Sequence, residues 1–493
     1  MRKIGLIAKW SLITTVLFPL ALSGQDENIP VPQAGQDHPN ILWIYIEDTN
    51  PWMSCYGDKM VNTPTIDQLA ENGVRFERAY VTSGVCSATR SALITGMYQT
   101  SIGAHNHHGS YAVQVGDERV ILDPIHLGIR TLPEIFKAAG YYTFNEGKDH
   151  YNFIYSDKDL YDRKGNREGF QGATDGSEWS GRAEGQPFFG QIQLRGGKYP
   201  VSRIQETVRP EDVRVPPYYP DIESFRNEIA RHYNQILKLD EILGMILDRL
   251  KEDGLYENTI VFFFSDHGLR LPRHKQFLYE GGIRVPLIVA GPGIPVHHVR
   301  NDLVSSIDIS ATTLALAGIQ IPAHMQGMDM FSEDFNRDYA VAARDRCDYT
   351  IDRIRAVVTD RYKYIRNFMT DKPYLQPQYR DNHPAMKDLK AMYQEGELND
   401  VQARFVSDER PAEEFYDLWE DPHETRNLVH SYKREHAMEL ARHRDMLYKW
   451  ILETDDKGRF PESEAGLRTS VLRYGEKAVN KEYQEVREKE EAE

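Results

Sequence analysis

Cysteine is scarce in this 493-residue chain, which has only Cys55, Cys86 and Cys347. A chain of this length buries a core large enough to stand without covalent staples, so Cys55 and Cys347 are expected to stay unpaired. Basic charge is in deficit too: 59 Lys and Arg face 75 Asp and Glu, a net charge of −16. That balance argues against a nucleic-acid partner, although local basic clusters can still bind anions. Internal repeats and low-complexity tracts are missing, which excludes solenoids and fibrous architectures. The chain also lacks any apolar run long enough to span a membrane. Its one such run, Trp10 to Leu22, is short, follows Arg2, Lys3 and Lys9, and gives way to Gly24-Gln25-Asp26-Glu27. It reads as a secretory signal peptide over residues 1–23, which predicts a periplasmic or secreted protein.

What is present is a series of buried strands with chemistry at their ends. Ile41-Leu42-Trp43-Ile44-Tyr45-Ile46 is a continuous apolar run ending in Glu47-Asp48. Thr259 to Ser265 is a second such run, ending in Asp266-His267-Gly268. Both have the profile of central strands in an α/β sheet, whose carboxyl ends are where sites are kept. Pro187 to Leu194 reads as another central strand, and Ile222 to Lys251 as a long amphipathic helix packed on the sheet.

Between these lies Gly84-Val85-Cys86-Ser87-Ala88-Thr89-Arg90-Ser91-Ala92-Leu93-Ile94-Thr95-Gly96, a loop feeding a helix with Cys86 at its start. Unpaired backbone N–H groups and the helix dipole favour negative charge there, and Arg90 follows one turn on. Gly140 to His150 reads as a short strand and turn that presents Lys148, an anion holder, and His150, a proton carrier near neutral pH, on one side. His105-Asn106-His107-His108 suggests zinc, but adjacent residues of one loop do not supply the geometry of such sites. A polar loop near the pocket mouth, with His105 touching substrate, is the expectation.

Cys86-Ser87-Ala88-Thr89-Arg90 followed by a helix ending in Thr95-Gly96 closely resembles the signature of the sulfatases, a branch of the alkaline phosphatase superfamily. Gly147-Lys148-Asp149-His150 resembles the family's Gly-Lys-x-His motif, and Lys275 with Tyr279-Glu280 and Arg284-Val285-Pro286 resembles its Lys-x-x-x-Tyr-Glu…Arg-Val-Pro segment. Three departures stand out. Ala88 replaces the commonest proline, Glu47 stands where the family carries Asp, and Lys198 falls where many members have the histidine of a Pro-His pair.

The resemblance implies that a maturation enzyme oxidises Cys86 to formylglycine, whose hydrated aldehyde is the nucleophile. It implies one Ca²⁺ held by Glu47, Asp48, residue 86, Asp266 and His267, a ligand set rich in the oxygens that hard cations prefer. With Arg90, the metal would hold the nucleophile ionised for attack on sulfur. His150 would then take the proton that releases sulfate, while Lys148, Lys275 and Lys198 stabilise charge. The expected fold is an alkaline-phosphatase-like α/β sheet, mostly parallel and flanked by helices, over residues 38–335. A smaller C-terminal subdomain over 336–475, with an antiparallel sheet and a helix, and a charged, frayed tail over 476–493 complete it. Arg346 is a candidate contact for sugar or a neighbouring anionic group. The expected substrate is a sulfated polysaccharide fragment, ulvan or heparan-like. A phosphonate or phosphodiester hydrolase of the same superfamily and a non-catalytic glycan-binding relative are the alternatives.

Overall fold

A computed structural model of the protein describes residues 38–165, 178–200 and 207–492. The expected signal peptide lies outside the described residues. Fourteen strands are present among them: β1 (Asn40–Ile46), β2 (Gly73–Tyr80), β3 (Val113–Val115), β4 (Glu118–Val120), β5 (Tyr142–Glu146), β6 (Arg163–Lys164), β7 (Phe188–Leu194), β8 (Thr259–Ser265), β9 (Arg284–Ala290), β10 (His298–Ser305), β11 (Ala340–Arg344), β12 (Ile354–Val358), β13 (Tyr362–Asn367) and β14 (Glu413–Asp417).

Eight of them form one sheet in the order β10-β2-β9-β8-β1-β7-β5-β6. β1 pairs in parallel with both β7 and β8, and β9 alone runs against its neighbours β8 and β2. The three central strands β7, β1 and β8 are buried along their whole length, which is why β1 and β8 read as nearly continuous apolar runs, while β7 also buries Gln191 and Gln193. Trp43 sits at their centre, edge-on to Phe189 and Phe264, with its Nε1 donating to Thr313 Oγ1 at 2.9 Å. That bond ties the sheet to the helix Ser306–Leu316, which also packs on the helix Cys86–Thr95.

The long helix runs from Glu223 to Glu252, burying Ile229, Ile236, Leu243 and Leu250 at helical spacing. Its Asp240 carboxylate accepts from the backbone N–H of Ile66 at 2.8 Å and so caps the start of the helix Pro64–Glu71. The smaller unit is the four-stranded antiparallel sheet β11-β12-β13-β14, covered by the helix Arg434–Glu453 through Leu447 and Trp450.

The tail departs from expectation. Lys481–Ala492 is a helix, and Tyr483 and Val486 are buried on it. They lie about five-sixths of a turn apart on an otherwise charged segment, and Tyr483 packs in one cluster with Ala478 and Tyr349. No helix among the described residues is long and apolar enough to cross a membrane.

Replacing Trp43 by alanine would open a cavity where three strands and a helix meet. Trp43→Ala is expected to cost about 3–5 kcal/mol of stability. Urea unfolding followed by circular dichroism measures it.

Candidate active site

The ladder of β1 and β8 ends with Ile46 opposite Ser265, so the two residues after each strand emerge side by side. The backbone stitches them together: Asp48 N–H donates to Asp266 Oδ1 at 3.1 Å, and Thr49 N–H to the His267 carbonyl at 3.0 Å. Asp48 takes a left-handed backbone, φ 50°, an uncommon state that turns its carboxylate into the pocket. Glu47, Asp48, Asp266 and His267 are thereby collected at one sheet edge, all buried.

Cys86 opens the helix Cys86–Thr95, whose ten residues are all buried. Val85 before it is extended and offers no side-chain cap, so the first-turn N–H groups remain available to an anion. Cys86 Sγ lies 3.2 Å from His267 Nε2 and 3.7 Å from Lys275 Nζ. Although burial opposes ionisation, Lys148, Lys275, Lys198 and His267 together hold the Cys86 thiol well below its ordinary pKa. Position 86 is thus a place built for negative charge.

Arg90, one turn on, is fully buried. Its guanidinium donates to Asp266 Oδ2 at 3.0 and 3.1 Å, to Gln193 Oε1 at 2.6 Å, to the Lys148 carbonyl at 3.0 Å and to Glu47 Oε1 at 3.3 Å. Below it lies the Tyr45 ring at 4.4 Å. Gln193 and Tyr45 were not singled out from sequence; the signal for Gln193 was a polar residue inside a buried strand, and Tyr45 is its register partner on β1.

Lys275 donates to both Asp48 oxygens, at 3.0 and 3.1 Å. Lys148 pairs with Glu47 Oε1 at 2.9 Å, and Lys198 with Glu47 Oε2 and, at 3.3 Å, Asp48 Oδ1. Lys198 reaches them because the Gly196-Gly197 turn presses on the β1 exit: a side chain at Gly197 would meet the Asp48 carbonyl at 2.2 Å. Burial works against the Glu47 and Asp48 carboxylates, but Lys198 with Lys148 or Lys275 holds both well below the usual range. In turn Asp48 keeps the Lys198 ammonium charged against its burial, so Lys198 suits charge stabilisation and not proton donation to a leaving group. Lys148 and Lys198 are about 30% exposed, whereas Lys275 is 6% exposed, which puts the mouth of the pocket on their side.

His150 also reaches the pocket. Gly147 (φ 105°) ends the segment after β5, and His150 itself is left-handed (φ 62°), so Lys148 and His150 project from a loop rather than from alternate strand positions. His150 interacts with the Cys86 side chain, and burial and Lys148 hold its ring neutral, well below the ordinary histidine pKa.

Two expected substrate contacts stand elsewhere. His105 is half-buried, its pKa lowered to about 4 by desolvation and Arg355, beside a cavity of about 230 Å³ lined by Arg346, Arg353 and Phe460. Arg346 forms a bidentate pair with Glu462 at 2.6 and 2.8 Å and donates to the carbonyls of His107 and Asp348. With its donors consumed in this way it clamps the histidine loop, so neither residue contacts the Cys86 pocket. His274 is likewise absorbed in scaffold, bonded to Asn50 and Tyr218. Cys55, Cys86 and Cys347 are all free thiols.

The model of the family described as Sulfatase matches residues 39–319, more than half of the chain, and that of the N-sulphoglucosamine sulphohydrolase C-terminal region matches residues 267–409. The chain belongs to the sulfatase family. An ulvan-active sulfatase of Formosa agariphila is 32% identical over 472 residues, covering 87% of this chain and 77% of the relative. Among solved structures, a protein in complex with its substrate D-glucosamine-2-N,6-O-disulfate aligns with a TM-score of 0.61 at 18% identity, covering 85% of this chain and 98% of that one. A phosphonate monoester hydrolase of Agrobacterium radiobacter aligns at 0.62 and 17% identity, covering 84% and 96%. The last two likenesses establish the fold: the sulfatase sheet described above is of the alkaline-phosphatase type.

The sulfatase pocket has the donors a hard cation takes. Ligand atoms of Asp48, Cys86 and His267 lie within 4.8 Å of one another, with the Glu47 and Asp266 carboxylates beside them. His267 donates Nδ1–H to the Gly268 carbonyl at 2.9 Å, which leaves the Nε2 lone pair aimed at Asp48 and Cys86, the arrangement of a metal-bound histidine.

Removing Arg90 would strand the buried Asp266 carboxylate and take one of three cations from Glu47. Arg90→Leu is expected to destabilise the calcium-free protein by about 3–5 kcal/mol. Guanidinium unfolding in the presence of a chelator tests this.

Proposed function

We propose that this hydrolase cleaves sulfate esters on sulfated polysaccharide fragments, ulvan or heparan-like, after a formylglycine-generating or sulfatase-maturating enzyme has converted Cys86 to formylglycine. The observation that carries the reading is the position of Cys86: at the open start of a buried helix, touching His267 and Lys275, where Lys148, Lys198 and Lys275 favour an anion. The glycan class is supported by the ulvan-active relative and by the fold neighbour solved with a disulfated glucosamine. Export to the periplasm or beyond is part of the proposal and rests on residues 1–23.

Glu47, Asp48, Asp266 and His267, with an oxygen of residue 86, would hold Ca²⁺, which when bound supplies the charge that favours an ionised oxygen nucleophile. Arg90 orients Asp266 and Glu47 for this task and adds its own positive charge. Lys275 faces residue 86 from the closed side and balances charge on the sulfate as the bond from the nucleophile oxygen to sulfur forms. Lys148 and Lys198, at the mouth, do the same for the sulfate oxygens as the bond from sulfur to the sugar oxygen breaks; the departing oxygen takes up a proton from water. His150, held neutral, then accepts the proton of the remaining hydroxyl at residue 86. Sulfate leaves with the oxygen that attacked, the carbonyl is restored, and water adds to it again.

A phosphonate or phosphodiester substrate is the second reading, favoured by the Agrobacterium neighbour and by Lys198 in place of the Pro-His histidine.

Sulfate release is to be measured on ulvan, heparan, chondroitin and carrageenan oligosaccharides, using protein whose residue 86 is confirmed as formylglycine by peptide mass. One substrate is expected to release sulfate, with no release in Cys86→Ala. Phosphate-ester turnover without sulfate release would select the second reading, and no turnover of either would sink both. Chelation is expected to abolish turnover and lower the unfolding midpoint, with both restored by added Ca²⁺. An unchanged midpoint and activity after exhaustive chelation would refute the metal assignment.

A further inference from the structure

The histidine loop, set aside as a zinc site in the sequence, meets the pocket at one point. His108 Nε2 lies 2.7 Å from His150 Nε2, a hydrogen bond between two imidazoles. On its other side, His108 Nδ1 lies 3.3 Å from Asp348 Oδ1 and 3.2 Å from Tyr474 Oη. Tyr474 donates its own hydroxyl proton to Asp348 Oδ1 at 2.9 Å, and His107 Nδ1 approaches the same oxygen at 3.0 Å. Asp348, His108 and His150 all have left-handed backbones, φ 52°, 60° and 62°. Such strain persists only where the surroundings impose it, and here three strained residues point at one another.

Hydrogen-bond accounting gives the chain a direction. Burial opposes ionisation of Asp348, but His107 and His108 hold it far below the usual carboxylate range, so it only accepts. The tyrosine oxygen, having given its proton to Asp348, also accepts. His108 Nδ1 faces acceptors alone and must carry a proton. Burial and His107 push the His108 pKa down to about 3, so its ring is neutral and Nε2 holds a lone pair. His150 must then donate from Nε2, which leaves Nδ1 bare. That atom is buried and has no conventional hydrogen-bond partner among the described residues, while its ring interacts with residue 86. Ring nitrogens of His107, His108 and His150 lie within 4.8 Å of one another, a spacing a transition metal would accept, but these hydrogen bonds already engage Nδ1 of His107 and His108 and Nε2 of His108 and His150.

We propose that Asp348 and His108 are positioning residues that fix the tautomer and orientation of His150, so that its Nδ1 is the atom that takes the proton at residue 86. The proposal rests on the reading of His150 as the base. It assigns to the C-terminal unit, through Asp348 and Tyr474, a part in the reaction, and it explains why Arg346 clamps the carbonyls on either side of this loop.

The consequence is specific to one half of the reaction. His150 acts after the alcohol has left, so a misplaced ring slows turnover without slowing the first bond cleavage. On 4-nitrophenyl sulfate, His108→Phe is expected to lower kcat about 10²-fold and KM in parallel, with kcat/KM held within about threefold and a burst of nitrophenol ahead of the steady state. His108→Gln, which restores an acceptor to the His150 Nε2–H, is expected to recover kcat to within about tenfold of the parent. The second readout needs no activity. In ¹⁵N-histidine-labelled Cys86→Ala protein, the His150 ring, identified by the signals lost in a further His150→Gln change, is expected in the Nε2–H tautomer and to lose it in the His108→Phe background. An Nδ1–H tautomer, or an unaltered kcat in His108→Phe, would overturn the positioning role. A fall of kcat/KM in step with kcat, with no rescue by glutamine, would reduce His108 to scaffold. Full kcat in His150→Gln would instead remove the base reading beneath the proposal, whatever the tautomer.

Discussion

Three carboxylates cannot share a dry pocket unless cations are placed among them, and that constraint governs this molecule from its sheet to its chemistry. Glu47, Asp48 and Asp266 converge because two parallel strands end level. Arg90, Lys148, Lys198 and Lys275 come to them from a helix and three separate loops. Each partner is held by charge, and Lys275 also reaches Cys86 Sγ at 3.7 Å. The arrangement that makes the pocket tolerable is the one that makes it able to receive sulfate.

The departures from the family pattern fit together in the same terms. Glu47 carries one more methylene than the aspartate it replaces, and its two oxygens reach different lysines, Lys148 on one side and Lys198 on the other. Lys198 in turn stands where a histidine is common. A longer acid and a longer base have taken up the same space, so the cationic lining at the mouth is kept while its proton chemistry changes. Held charged by Asp48 against its burial, Lys198 suits electrostatic stabilisation of an anion.

The smaller unit is more than a lid on the sheet. Arg355 joins Asp345 and Asp456, and Arg346 joins Glu462; from this framework Arg346 bonds His107, and Lys457 and Thr454 bond Thr100 and Ser101, gripping the loop that follows the helix Cys86–Thr95. That grip sets Asp348 under His107 and His108. The two units therefore meet around His150, not only along a packing seam.

Much of this was legible in the residues themselves. Apolar runs ending in Glu47-Asp48 and Asp266-His267 announce central strands with ligands at their tips, because full burial leaves no alternation and the first polar residues fall at the strand end. The Cys86–Arg90 stretch, the long helix and the smaller antiparallel sheet follow from local signals of the same kind. What stayed hidden depends on chain crossings. Whether a buried arginine such as Arg346 binds substrate or clamps a loop is decided by Glu462, 116 residues away. Tyr483 could dock the charged tail only because Tyr349, Ile351 and Ala478 come together to receive it. The bond from His108 to His150 joins two loops through left-handed turns that neither residue type advertises. Composition and spacing determined which groups this protein carries and where its strands stop; the tertiary fold alone decided which nitrogen meets which oxygen, because hydrogen bonds between distant loops have no period in the sequence.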